Sequence, residues 1–167
     1  NIQIRRFQRL EGACVAYVHA GGKIGVLVNF DTDCADKDGF EAYGKDVAMQ
    51  IAALNTSYLC KDEVPADVLE HEKEVMKQLV INEGKPEAML ERIIPGKVKA
   101  ILKEVCLVDQ KFVKNGDLTV AQYVESVAKE IGKPMKVVEM VRYEVGEGIE
   151  KKEENFAEEV AKQMGAN

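Results

Sequence analysis

Residues 13–30 read ACVAYVHAGGKIGVLVNF. Ala13 to Val18 and Lys23 to Phe30 are rich in β-branched residues, which suit a pleated, half-buried surface. Between them stands His19-Ala20-Gly21-Gly22. Paired glycines supply the positive φ angles a tight reversal needs, so the stretch predicts a β-hairpin.

On the N-terminal side, Ile2 and Ile4 alternate while Phe7 and Leu10 break the period. This reads as a bulged strand that extends the sheet over 2–30. The C-terminal side begins with a polar loop, Asp31 to Gly39, in which Asp38 is placed to cap the next helix. Phe40, Tyr43, Val47, Ile51 and Leu54 then recur at helical spacing and predict a helix over 40–54. From Pro65 to Glu83 the sequence is charged and helical. Asn82 to Pro86 stops and restarts it, and a second helical stretch runs to Val105, with Pro95-Gly96 expected to kink or split it. Two helices joined by a short turn predict an antiparallel arm, on the order of 27 Å long at ~1.5 Å per residue.

Asp109 to Asp117 reads as a loop closed by an Asn115-Gly116 turn. Thr119 and Gln122 form a capping box for a helix whose apolar face is Val120, Val124, Val127 and Ile131. Met135 to Val145 predicts a strand. Glu150 to Met164 predicts a charged terminal helix with Phe156 and Val160 inward. The strand MKVVEMVRYE at 135–144 echoes IQIRRFQRLE at 2–11, which suggests a duplicated unit. The fold class is α+β: an antiparallel sheet packed with helices, a two-helix coiled-coil arm and a C-terminal helix.

Composition narrows the function. The 167 residues are 46% apolar and 31% charged, with a net charge of −6. A packed core follows, whereas the acidic balance argues against nucleic acid as partner. No apolar run approaches the ~18–20 residues of a membrane span. The start NIQIRR carries no secretory leader and no Met, and reads as the beginning of a fragment or processed product. Cys14, Cys34, Cys60 and Cys106 contain no CxxC pair, so a zinc site is not expected and free thiols in a cytoplasmic protein are. GGKIGV at 21–26 fails as a phosphate loop, because Ile24 stands where Ser or Thr must follow the Lys. GEGIEK at 146–151 lacks the third glycine of a dinucleotide fingerprint. Registering Gly39 as the sixth residue of a calcium loop puts Cys34 first and Lys45 twelfth, where a carboxylate is required. His71 reads as a surface residue on the arm, whereas His19 stands at a hairpin tip. No nucleophile, base and oxyanion donor can be grouped, so no catalytic residue, metal or cofactor is expected.

Four strings are more specific: YVHAGGKIGVLV at 17–28, DVAMQIAALN at 46–55, LKEVCLVDQKFVK at 102–114 and RYEVGEGIEKKEENFAEEVAKQ at 142–163. Together they resemble the C-terminal portion of translation elongation factor Ts. The resemblance implies a non-enzymatic guanine-nucleotide exchange factor for elongation factor Tu, lacking the family's N-terminal helical module. It implies a core from 1–64, an inserted arm over 65–105, a return to the core over 106–148 and a C-terminal module over 149–167. It also implies partner contacts at His19, Val113 and Lys114, and at Phe156 and Val160 in the terminal helix. VNFDTDCADKDGF at 29–40 is similar to the family's Thr-Asp-Phe wedge loop. Asp33 matches the Asp, but Cys34 replaces the Phe, a loss of roughly 1–3 kcal/mol of apolar contact. The loop is then either a weakened wedge or, as the pattern favours, a decayed copy. The alternative expectation is an assembly module without exchange activity, forming a homodimer through its sheet or arm.

Overall fold

The structure is a computed structural model that describes residues 3–36 and 38–149, apart from the Glu87 side chain. The terminal helix expected at 150–164, with Phe156 and Val160, lies outside the described residues.

The hairpin forms as expected. Strand β1 (Ala13–His19) pairs antiparallel with β2 (Ile24–Thr32), from Ala13 opposite Phe30 to His19 opposite Ile24. A single 3-10 turn at Ala20–Gly22 joins them, with φ of 65° at Gly21 and 94° at Gly22. β5 (Met135–Glu144) adds to the free edge of β2, giving the order β1-β2-β5, with a bulge beside Asn29 and Phe30. Val15, Val26, Val28, Phe30, Met135 and Val137 point to one face. Helix α1 (Phe40–Leu54) lays Phe40, Val47 and Ile51 on it, and α4 (Val120–Ile131) adds Val120, Val124 and Val127. Each such side chain contributes about 1.5–3 kcal/mol on burial, so this one layer of helix on sheet is the main source of stability. α4 starts in the expected capping box: Gln122 N donates to Thr119 Oγ1 at 3.2 Å, and Thr119 N donates to Gln122 Oε1 at 2.8 Å.

The arm consists of α2 (Ala66–Asn82) and α3 (Leu90–Val105), packed side by side. Its base is tied to the core where Tyr58 bridges Cys106, and Leu107 N donates to Tyr58 O at 2.9 Å.

Four expectations are corrected. Residues 3–11 are not a strand, and Ile4 and Phe7 are 82% and 83% exposed. Gly12, at φ +117°, turns the chain away from the line of β1. The arginines anchor the segment instead: Arg5 donates to Glu147 O and Gly148 O, and Arg6 pairs with Glu147. The echo of 2–11 in 135–144 is therefore not matched in conformation over 3–11. Asp38 does not cap α1, because Gly39 occupies the cap position and no side chain bonds there. Pro95 does not split α3, which runs unbroken through it. Pro95 falls early in the helix on an exposed face, where the Glu91 carbonyl it displaces can turn to water. The 109–117 segment is not a loop closed at Asn115-Gly116. It contains β3 (Lys111–Phe112) and β4 (Asn115–Thr119), and the chain reverses at Val113-Lys114.

Candidate functional site

A polar cluster inside the apolar layer sets that reversal. Gln50 is fully buried on α1. Its amide nitrogen donates to Lys111 O at 2.9 Å and to Gln110 Oε1 at 3.1 Å, and its Oε1 accepts from Val113 N at 2.8 Å. Gln110, also buried, accepts from Thr56 Oγ1 and donates to Glu104 O. Gln50 thus holds the incoming strand and the apex of the turn from below. Phe112 is buried and stacks on Tyr123, with ring centroids 4.0 Å apart. Val113 is left 46% exposed at the apex. Lys114 is drawn down to Asp46 of α1, which also accepts from Tyr123 Oη at 3.1 Å. Burial pushes the Tyr123 phenol up, and the Asp46 carboxylate adds to the effect. Residue spacing carried one sign of this cluster: Gln50 stands three after Val47 and four before Leu54, a polar side chain on the apolar stripe.

His19 is exposed at the hairpin tip, and Tyr17 Oη lies 2.9 Å from its Nδ1. The course of α1 relates this tip to the Val113 turn. Phe40 packs edge-on against Phe30, and Gly44 abuts Val15, which pairs with Val28. The helix therefore runs back along the sheet toward the tip, and Gln50 lies about 9 Å further on than Gly44. His19 and the Val113-Lys114 turn are both displaced toward one end of the sheet.

Asp33 belongs to the other end. It follows Thr32, eight residues along β2 from the tip-side Ile24, roughly 27 Å at about 3.3–3.4 Å per residue. Its carboxylate pairs with Lys133 at 3.2 Å. Cys34 beside it is fully buried in the core. Its backbone N donates to Thr32 Oγ1 at 3.2 Å, and its sulfur lies 2.8 Å from the same oxygen. In this structure Cys34 is part of the packing and offers a partner no surface.

All four cysteines are free thiols, with Cys34 and Cys106 buried. Burial, then Asp109, pushes the Cys106 thiol up to about 11 from its ordinary 9.0. A disulfide reagent near pH 8 should therefore label Cys14 or Cys60 in the native chain and reach Cys34 and Cys106 only on unfolding. Rapid labelling of Cys106 before unfolding would contradict this packing. The same shift makes a pH prediction. The folded state holds this proton more tightly than the unfolded one, so the stability it contributes is intact below about pH 9 and is lost as pH rises toward 11. Tyr123 acts in the same direction. The thermal midpoint should fall steadily between pH 9 and 11, and a flat profile would contradict the assignment.

Among the described residues no three His, Cys, Asp or Glu side chains group to hold a metal ion. Among the same residues no helix is long and apolar enough to cross a membrane. His19 and Val113 stand at two exposed turns carried by one layer of helix on sheet.

Comparison with known proteins places the chain in a family. The family described as Elongation factor TS matches residues 1–147. The chain belongs to the elongation factor Ts family. Elongation factor Ts of Clostridioides difficile (strain 630) is 53% identical over 165 residues, covering 98% of this chain and 54% of the relative. Elongation factor Ts of Clostridium kluyveri (strain ATCC 8527) is 48% identical, again over 98% of this chain and 54% of the relative. The protein of that name from Clostridium botulinum (strain Eklund 17B) is 46% identical over 99% and 55%. The chain thus spans about half the length of the elongation factor Ts relatives it matches.

Proposed function

We propose that this chain binds elongation factor Tu in its nucleotide-free form and thereby promotes release of GDP, as the core and arm of a guanine-nucleotide exchange factor. Membership of the elongation factor Ts family across residues 1–147 carries this reading. The contact set is His19 and the Val113-Lys114 turn near one end of the sheet, Asp33 at the other, and Phe156 and Val160 in the terminal segment. Cys34, being buried, supports the decayed-copy reading of its loop and acts by holding Asp33 in place.

The mechanism is thermodynamic linkage. A factor that binds the empty GTPase more tightly than the GDP form must weaken GDP binding by the same ratio. No bond is broken, so the chain needs no acid, base or cofactor and is not an enzyme in the chemical sense. What it does need is rigidity, because a loop that yields on contact cannot distort its partner. The Gln50 clamp under the Val113 turn supplies it there.

The test is stopped-flow release of a fluorescent GDP from elongation factor Tu. The chain should accelerate release, though less than a full-length relative does, and His19→Ala should cut the effect at least about tenfold, as expected for a contact hot spot. No acceleration at saturating chain would refute the exchange reading.

A second reading is favoured by the outer face of the sheet. Phe7, Val18, Leu27, Val141 and Tyr143 line a cleft there of about 390 Å³, and Val18 is 68% exposed. A face of this kind suits pairing with another sheet, so the chain would also form a homodimer. The arm, an antiparallel helix pair, is a second surface for pairing. Light scattering of the chain alone distinguishes a dimer from a monomer.

A further inference from the structure

His19 is not a free side chain on a turn. It shares a face of β1 with Tyr17, two residues back, and the pairs Tyr17–Val26 and His19–Ile24 put both above the same strand. Tyr17 packs its ring against the core cluster and carries its hydroxyl to 2.9 Å from His19 Nδ1, with ring centroids 5.8 Å apart. A side chain anchored in the core therefore reaches out to hold one at the tip.

We propose that Tyr17 is a positioning residue that fixes His19 as the Nε2–H tautomer with Nε2 presented outward as a hydrogen-bond donor. The inference rests on the reading of His19 as a partner contact and adds which atom makes that contact. The chemistry decides the direction of the bond. A phenol is a good donor and a poor acceptor, and the bare nitrogen of a neutral imidazole is a good acceptor. Tyr17 thus donates to Nδ1, and the ring proton moves to Nε2, because the hydrogen bond made by one ring nitrogen sets the state of the other. The ring is also held in one orientation before the partner arrives, so less freedom is lost on binding. The acceptor this donor fits is a carbonyl or carboxylate oxygen on the GTPase.

Two experiments on the whole chain test the inference separately from the function it rests on. Long-range proton–nitrogen spectra of the chain alone, where His71 is the other histidine, should show His19 as the Nε2–H tautomer. Tyr17→Phe should shift it toward a mixture. An Nδ1–H tautomer in the unmodified chain, or a spectrum that Tyr17→Phe leaves unchanged, overturns the proposal. Binding to nucleotide-free elongation factor Tu supplies the second readout. Tyr17→Phe should weaken it roughly 3- to 10-fold, and should have no effect once His19 is Ala. His19→Gln, whose amide reaches the Nε2 position, should bind better than His19→Asn, whose amide mimics Nδ1. An equal loss from Tyr17→Phe with or without His19 would mean that Tyr17 acts through the core, and would also overturn the proposal. Failure of every form to bind, with the tautomer as expected, would overturn the partner reading and its outward contact while leaving the Tyr17–His19 bond intact.

Discussion

Replacing Gln50 with Leu should destabilise the chain by about 2–4 kcal/mol, even though the new side chain is apolar and similar in size. The loss leaves the Lys111 carbonyl and the Val113 N–H without their partner beneath the turn. Each part-buried group so orphaned costs about 1–2 kcal/mol, the lower part of the range for a fully buried one. Gln110 Oε1 keeps its bond from Thr56, so the damage is concentrated at the turn. The urea midpoint should fall, and the Val113 amide should exchange with solvent far faster than those of the α1 core. Unchanged Val113 exchange would mean that the turn is held by its own strands. A functional consequence follows: the Val113-Lys114 contact becomes loose, and exchange on the GTPase should weaken beyond what the loss of folded protein explains.

Gly44→Ala should also destabilise, by about 2–3 kcal/mol, against the usual direction of this substitution in a helix. Alanine ordinarily gains up to about 1 kcal/mol over glycine there. At this position, however, a Cβ would lie 2.4 Å from Val15 Cγ2 and 3.0 Å from Val15 Cβ. Val15 is buried at the centre of β1, so neither atom can swing aside. Overpacking of this kind typically costs 1–3 kcal/mol or more. Gly44→Ala should cost less in a Val15→Ala background than in the parent, because that change removes the methyl at 2.4 Å while leaving the Cβ at 3.0 Å. If the single variant is as stable as the parent, the helix does not sit this close to the sheet.

Those two residues mark where sequence reasoning reaches and where it stops. The hairpin was legible because its strands are rich in β-branched residues and its turn has two adjacent glycines, both local signals. The capping box at Thr119 was legible for the same reason: both partners sit within one turn of chain. Ile4 and Phe7 carried a strand-like pattern, but a strand also needs an edge to pair with, and Gly12 directs the segment away from β1. Pro95 carried a break signal whose effect depended on which carbonyl it displaced. Asn115-Gly116 was a good local turn, yet the reversal falls at Val113-Lys114 because Gln50, 63 residues away in sequence, holds it there. The candidate site divides in the same way. His19 could be placed at a tip from its neighbours alone. The burial of Cys34 depends on packing against the core cluster, which no spacing in the acidic loop encodes.

The most direct measurement is the affinity of this chain for elongation factor Tu, stripped of nucleotide and loaded with GDP, in parallel titrations at one salt concentration. Tight binding to the empty form and a Kd at least about tenfold weaker for the GDP form, a difference of about 1.4 kcal/mol, is the predicted result. Equal affinity for the two forms, or none for either, would contradict it.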